Sequence, residues 1–214
     1  MNDDHAKPWE TTRRGLLLLV SSPAGAGKTS LTRRLVADHS DLTLSISATT
    51  RPARPGEEEG REYYFKTRAE FEAMIAAGEF LEWAVVNGNY YGTLKTTVMT
   101  ALEGGHDVLF DIDWQGAAQI AEKAPDDSVR LFILPPAWDD LERRLRARAQ
   151  DTDETIRTRL DLGREEILHW ANYDYVIVNK NFDRAYADLG HIYRAERMKP
   201  GRNPWLPGFV EGLL

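Results

Sequence analysis

The sequence predicts an α/β fold, a parallel sheet flanked by helices, with a small α+β insertion and a second, helical segment set apart from the sheet. Three observations carry this. Short apolar runs recur, GLLLLV, LTLSIS, VLFDID, VRLFIL and YVIVN, and their length and branched residues suit strands buried on both faces. Helical patterns such as SLTRRLVADH and WQGAAQIAEKA lie between several of them, and strand–helix alternation points to a parallel sheet covered by helices. Two segments, 47–95 and 141–168, break that rhythm.

The first residues, MNDDHAKPWETTRR, are polar and acidic, with no apolar stretch of signal-peptide length. Residues 1–13 read as a loose arm, and the protein is expected in the cytoplasm. Leu16–Val20 is far too short to span a membrane. The segment 47–95 has its own texture: TTRPARPGEEEGREYYF, then a helical pattern, then FLEWAVVNGNYYGT. Thr67 and Glu70 form a capping-box pattern at the start of TRAEFEAMIAA, whose Phe71, Met74 and Ile75 share a face. Gly78 closes that helix. Asn87-Gly88 between two apolar-aromatic runs is a hairpin signal. In the segment 141–168, Asp151 and Glu154 offer a second capping pattern, so a new helix is expected after a polar break.

The chain has 214 residues, 42% hydrophobic and 29% charged, enough for one large domain with insertions. It contains no cysteine, which excludes disulfides, thiolate metal sites and cysteine nucleophiles. A net charge of −7 argues against nucleic acid or an anionic membrane as the main partner. That same charge would repel a nucleotide, so locally clustered arginines would have to overcome it.

The stretch VSSPAGAGKTS joins the first apolar run to a helical pattern. Its end, Gly27-Lys28-Thr29, fits the phosphate-binding loop G-x-x-x-x-G-K-[ST], although Ser22 stands where the first glycine belongs. A bare G-K-[ST] arises by chance in roughly one chain in ten of this size. Context decides against chance here: the tripeptide sits at the mouth of a buried strand, opens a helix, and follows the small residues Pro23, Ala24, Gly25 and Ala26. Backbone N–H groups can then converge on phosphate with a helix N-terminus behind them. Lys28 would bring a point charge to the β and γ phosphates, and Thr29 a hydroxyl for Mg²⁺. Asp111 and Asp113 end another strand run and read as one strand face, where one carboxylate could order a Mg²⁺ shell. A lone Asp there is usually a strand terminus turning to solvent; two are harder to dismiss. RRLRAR is most often a solvated helix face. Arg144 and Arg148, however, are i and i+4, and with Arg159 could reach a transferring phosphoryl group from a mobile flap.

ATTRPARPGEEEGREYYF, EFLEWAVVNGNYYGT, DIDWQG and the arginine-bearing flap, in that order after a P-loop, resemble guanylate kinase over about Arg14 to Glu196. The resemblance implies a core (14–46, 96–140 and 169–196), a GMP-binding insertion (47–95), a lid (141–168) and a tail beyond the match (197–214). It implies Mg²⁺-dependent transfer of the ATP γ-phosphoryl group to GMP; the residues do not decide between GMP and dGMP, nor between monomer and oligomer. Carried across by motif, Arg51, Arg54, Tyr63 and Tyr91 match holders of the GMP phosphate, and Ser47, Glu82, Thr93 and Asp113 match positions around guanine. Arg144, Arg148 and Arg159 match phosphate-engaging lid positions. Residues 22–29 match the ATP-binding loop, Asn179 a position near adenine, and Thr29 with Asp111 the metal side. The chemistry agrees, since one carboxylate can accept from guanine N1–H and N2–H₂ together, whereas adenine would face it with an acceptor. Thr93 stands where serine is also common. Lys180 follows Asn179 where an acidic residue is frequent.

Two other readings compete. Guanylate-kinase-like domains also serve as non-catalytic phosphopeptide-binding modules, but those tend to lose P-loop and lid residues that this chain keeps. A related kinase with another acceptor, such as a phosphorylated sugar, would not need GNYYGT, Glu82 and both phosphate arginines. In the tail, Trp205, Leu206, Phe209 and Val210 are too apolar for a free segment, and are expected to dock on this chain or a second copy.

Overall fold

A computed structural model describes residues 13–86, 88–147 and 152–214. Each of the five apolar runs contains a strand: β1 (Leu17–Ser21), β2 (Leu42–Leu44), β7 (Asp107–Asp111), β8 (Ser128–Leu134) and β9 (Tyr175–Val178). They form one parallel sheet in the order β2-β7-β1-β8-β9. The run LTLSIS yields only a three-residue strand.

β1 explains why its sequence is apolar without alternation. Leu18 and Val20 pack with Leu31 and Leu35 of α1 (Lys28–Asp38) and with Ala185, Leu189 and Tyr193 of α7 (Phe182–Arg197). Leu17 and Leu19 pack on the other face, with Val98 and Leu102 of α3 (Lys95–Glu103) and Ala117 and Ile120 of α4 (Trp114–Lys123). Each such leucine, removed from water, contributes about 1.5–3 kcal/mol.

The segment 47–95 forms a second sheet in the order β4-β3-β6-β5, from β3 (Ala48–Thr49), β4 (Tyr64–Phe65), β5 (Phe80–Val86) and β6 (Asn89–Leu94). β5 and β6 are the antiparallel pair expected around Asn87-Gly88, and Gly88 has φ 78°; Asn87 lies outside the described residues. The helix α2 (Arg68–Ala76) carries the expected Thr67–Glu70 capping box. Phe71 anchors it, stacked on Phe80 at 4.3 Å and on Tyr90 at 5.2 Å.

Between β8 and β9 lie the α-helices α5 (Trp138–Ala147) and α6 (Asp153–Ile167). The expected Asp151–Glu154 cap is not the one used. Thr152 caps α6, its hydroxyl accepting from the Thr155 N–H, while Asp151 lies outside the described residues. Asp153 and Glu154 thereby fall in the first turn, where carboxylates suit the helix dipole. α5 starts three residues before the expected lid boundary, and its Leu141 and Leu145 are fully buried in or against the main core.

Arg13, assigned to the loose arm, is tied down. Its guanidinium donates to both oxygens of the buried Asp107 at 2.8 and 2.5 Å, and Asp107 also accepts from the Leu16 N–H and the Tyr193 hydroxyl. In the tail, buried Arg202 donates to the carbonyls of Glu196 and Asp127. Beyond it, α8 (Leu206–Glu211) leaves Val210 exposed, while the Trp205 and Phe209 rings meet at 5.8 Å. No described helix is long and apolar enough to cross a membrane.

Candidate active site

β1 and β7 are neighbours, with Val20 opposite Asp111, so the loop after β1 and the end of β7 meet at the carboxyl edge of the sheet. Ligands collect at such edges in open α/β sheets. In the loop, Gly25 and Gly27 have φ of 93° and 100°. A Cβ on Gly27 would sit 2.4 Å from the Asn179 amide nitrogen, and one on Gly25 3.2 Å from Leu145. Glycine is required at both positions. Gly27 is also the N-cap of α1 and offers no side-chain oxygen, which leaves first-turn N–H groups to meet an anion. Ser22 is buried and its hydroxyl donates to the Pro23 carbonyl at 3.1 Å; the Ala26 N–H donates to the same oxygen.

Lys28 Nζ lies 2.7 Å from Asp111 Oδ1 and donates to the Ile112 carbonyl at 3.1 Å. The Thr29 hydroxyl donates to Asp111 Oδ2 at 3.0 Å. Asp111 therefore meets the loop through both side chains. Asp113 does not share a strand face with it: β7 stops at Asp111, and Asp113 is the N-cap of α4, accepting from the Gly116 N–H at 2.8 Å.

Asn179 is buried and donates to the Ala26 carbonyl at 2.8 Å. Arg144 of α5 donates to the Asn179 carbonyl at 3.0 Å and to the Ala26 carbonyl at 3.4 Å. These two side chains tie the loop to α5 and to the segment that follows β9. Arg159 is half-buried on α6, and Arg148 lies outside the described residues.

On the insertion side, a cavity of about 240 Å³ is lined by Ser47, Tyr63, Glu82, Thr93 and Asp111, together with Glu62, Leu44, Ser45, Phe110 and Ile112. Glu82 is 9% exposed and accepts from the Thr93 hydroxyl at 2.8 Å. Burial pushes its carboxyl above the usual range, the Thr93 hydroxyl opposes this, Asp113 adds to it, and Lys123 opposes it. Arg51 pairs with Glu57 at 2.9 Å and lies 5.3 Å from the Tyr63 ring centre, and Tyr63 meets Tyr91 edge-on at 6.0 Å. Arg54 is exposed, its backbone N–H donating to Glu57 at 2.8 Å.

Sequence reasoning missed two acidic groups. Glu57 orients Arg51, yet within GEEEG nothing separates it from its neighbours. Glu166, half-buried on α6, has its carboxyl pushed up by burial and drawn back by the Lys28 charge. Just beyond that helix, the His169 ring stacks on Trp114 at 3.6 Å, pinning its end beside Asp113.

A glycine-turned loop opening a helix at the edge of a parallel sheet, with Lys28 and Thr29 on one carboxylate, defines a P-loop nucleotide-binding protein. The guanylate kinase family profile matches residues 14–196. The guanylate kinase of Caulobacter vibrioides is 56% identical over 201 residues, 94% of each chain. That of Maricaulis maris is 55% identical over 202 residues, 94% of this chain and 93% of its own. A crystal structure of guanylate kinase from Anaplasma phagocytophilum superposes with a TM-score of 0.72 at 35% identity, covering 94% of this chain and 96% of the other. The chain belongs to the guanylate kinase family.

Proposed function

We propose that this chain transfers the γ-phosphoryl group of ATP to GMP, giving ADP and GDP, in the cytoplasm. One observation supports it most: a buried carboxylate, Glu82, lies in a cavity that also reaches Asp111, the partner of the P-loop lysine. Base recognition and phosphate chemistry thus share one hollow. The core, insertion and lid divide as 14–46 with 96–140 and 169–196, 47–95, and 141–168.

An oxygen of the GMP phosphate attacks the γ-phosphorus, and the bond from that phosphorus to the β–γ bridging oxygen breaks. The leaving ADP carries away the electron pair. Lys28 stabilises charge on the β and γ oxygens, and the first-turn N–H groups of α1 hold the donor phosphates. Arg51, Arg54, Tyr63 and Tyr91 hold the acceptor phosphate, with Glu57 paired to the Arg51 guanidinium. Arg148 and Arg159 neutralise equatorial charge when the lid closes and excludes water, joined by Arg144 once its guanidinium turns from the Ala26 and Asn179 carbonyls. Asn179, whose amide holds the Ala26 carbonyl, stands near the adenine side.

Hard oxygen donors suit Mg²⁺, and the Thr29 hydroxyl and Asp111 carboxylate, 3.0 Å apart, are the residues that would hold it with its waters. When bound, it neutralises the triphosphate. Glu82 accepts from guanine N1–H and N2–H₂, while Thr93, Ser47 and Asp113 complete the base site. The intact Lys28–Asp111–Thr29 cluster weighs against a phosphopeptide-binding module. Glu82→Gln tests the reading: kcat/KM for GMP should fall by orders of magnitude while KM for ATP barely moves. A fall of less than about tenfold, roughly 1.4 kcal/mol, contradicts the assignment.

A further inference from the structure

β5 is an edge of the insertion sheet, paired among the described residues with β6 alone, so one side of its backbone looks away from the sheet. α4, a helix of the core, covers that side. The Gln119 side-chain amide meets one peptide unit pair twice: Oε1 accepts from the Trp83 N–H at 3.2 Å, and Nε2 donates to the Trp83 carbonyl at 3.3 Å. This is the two-point contact that a neighbouring strand would make. One helical turn further on, Lys123 Nζ donates to the Phe80 carbonyl at 3.0 Å. Between these anchors lies Glu82, and the β5–β6 register shifts between Phe80 and Glu82. An irregularity of that kind re-aims a side chain, and neighbouring strand residues point to opposite faces.

We infer that Gln119 and Lys123 are positioning residues for base selection, fixing the β5 backbone on both sides of Glu82. The inference rests on the reading of Glu82 as the guanine acceptor. β6 holds the irregular stretch from one side and α4 from the other, so the direction of the Glu82 carboxylate is set by both. The same helix begins at Asp113, which with Lys123 also bears on the Glu82 carboxyl. One rigid core element thereby registers the base-reading strand against the P-loop side of the cavity.

IMP lacks the guanine N2 amine, so the ratio of kcat/KM for GMP to that for IMP reads the two-point geometry at Glu82. Gln119→Met keeps the length and the helix propensity but neither hydrogen bond. It should lower the GMP/IMP ratio about tenfold and raise KM for GMP, with KM for ATP within about twofold. Lys123→Met should act in the same direction. Gln119→Glu can accept from the Trp83 N–H but sets a carboxylate against its carbonyl, so it should also lower the ratio, and it serves if Gln119→Met does not fold. A folded Gln119→Met whose ratio stays within about twofold of the parent overturns the inference. So does an equal rise in both KM values with a lowered Tm, which describes general loosening. Glu82→Gln in the same assay separates the two claims: lost selectivity there alone overturns only the positioning role, and lost selectivity in neither overturns both.

Discussion

Gly27→Ala places a methyl group where the structure leaves no room for one. Gly27 has φ 100°, and its Cβ would lie 2.4 Å from the Asn179 amide nitrogen. An L-residue held in the left-handed region costs about 1–2 kcal/mol. The Asn179 amide must also swing off the Ala26 carbonyl, and stranding those buried groups costs about 1–3 kcal/mol. The single mutant should therefore lose about 2–5 kcal/mol of stability by urea unfolding. Asn179→Ala alone should lose about 1–3 kcal/mol, through the same hydrogen bond. The two effects share one contact, so the double mutant should fall short of their sum by about 1–3 kcal/mol. Additive losses, or a Gly27→Ala cost below about 1 kcal/mol, would refute the clasp between Asn179 and the loop.

Three further outcomes are expected. Asp107→Ala strands the Arg13 guanidinium and the buried Tyr193 hydroxyl, and should cost about 3–5 kcal/mol in urea unfolding; a loss under about 1 kcal/mol would mean that the staple at the start of β7 is idle. GMP binding needs ionised Glu82, whose carboxyl burial pushes up, so KM for GMP should begin to rise while pH is still above the ordinary carboxylate range. Thr93→Val should move that rise to higher pH, and a flat KM down to the ordinary range contradicts it. By linkage, the contribution of Glu82 to folding is fullest below its unfolded pKa and is lost as pH rises through its raised folded pKa. Lys28→Met should lose most of kcat yet fold normally and bind GMP as before by calorimetry; near-native turnover would remove the lysine from phosphoryl transfer.

Strands were the legible part of the sequence because β1 and its neighbours are buried on both faces, which leaves unbroken apolar runs. Helix starts were less so. α1 begins two residues before the SLTRRLVADH pattern, because a left-handed glycine rather than a polar side chain opens it. In DTDE the cap falls on Thr152, one residue beyond the Asp151 that the spacing suggests. Asp113 shows the limit of spacing arguments: a period of two holds only while the strand lasts, and β7 ends at Asp111. The P-loop was readable from glycines and lysine in context, whereas Glu82, Tyr63 and Tyr91 were legible only through family motifs. Alone, each is an ordinary hairpin residue. Gln119 carried no signal at all, since a helix-surface glutamine reveals its partner only when the strand beside it is known.

The measurement that bears most directly on the central claim is phosphoryl transfer from ATP–Mg²⁺ to a panel of GMP, IMP, AMP, CMP and UMP, coupled to ADP formation, in the parent chain and in Glu82→Gln. The parent should use GMP far better than every other acceptor, and Glu82→Gln should lose that preference while keeping its affinity for ATP. Turnover of another monophosphate at the GMP rate, or an unchanged preference in Glu82→Gln, would contradict the account.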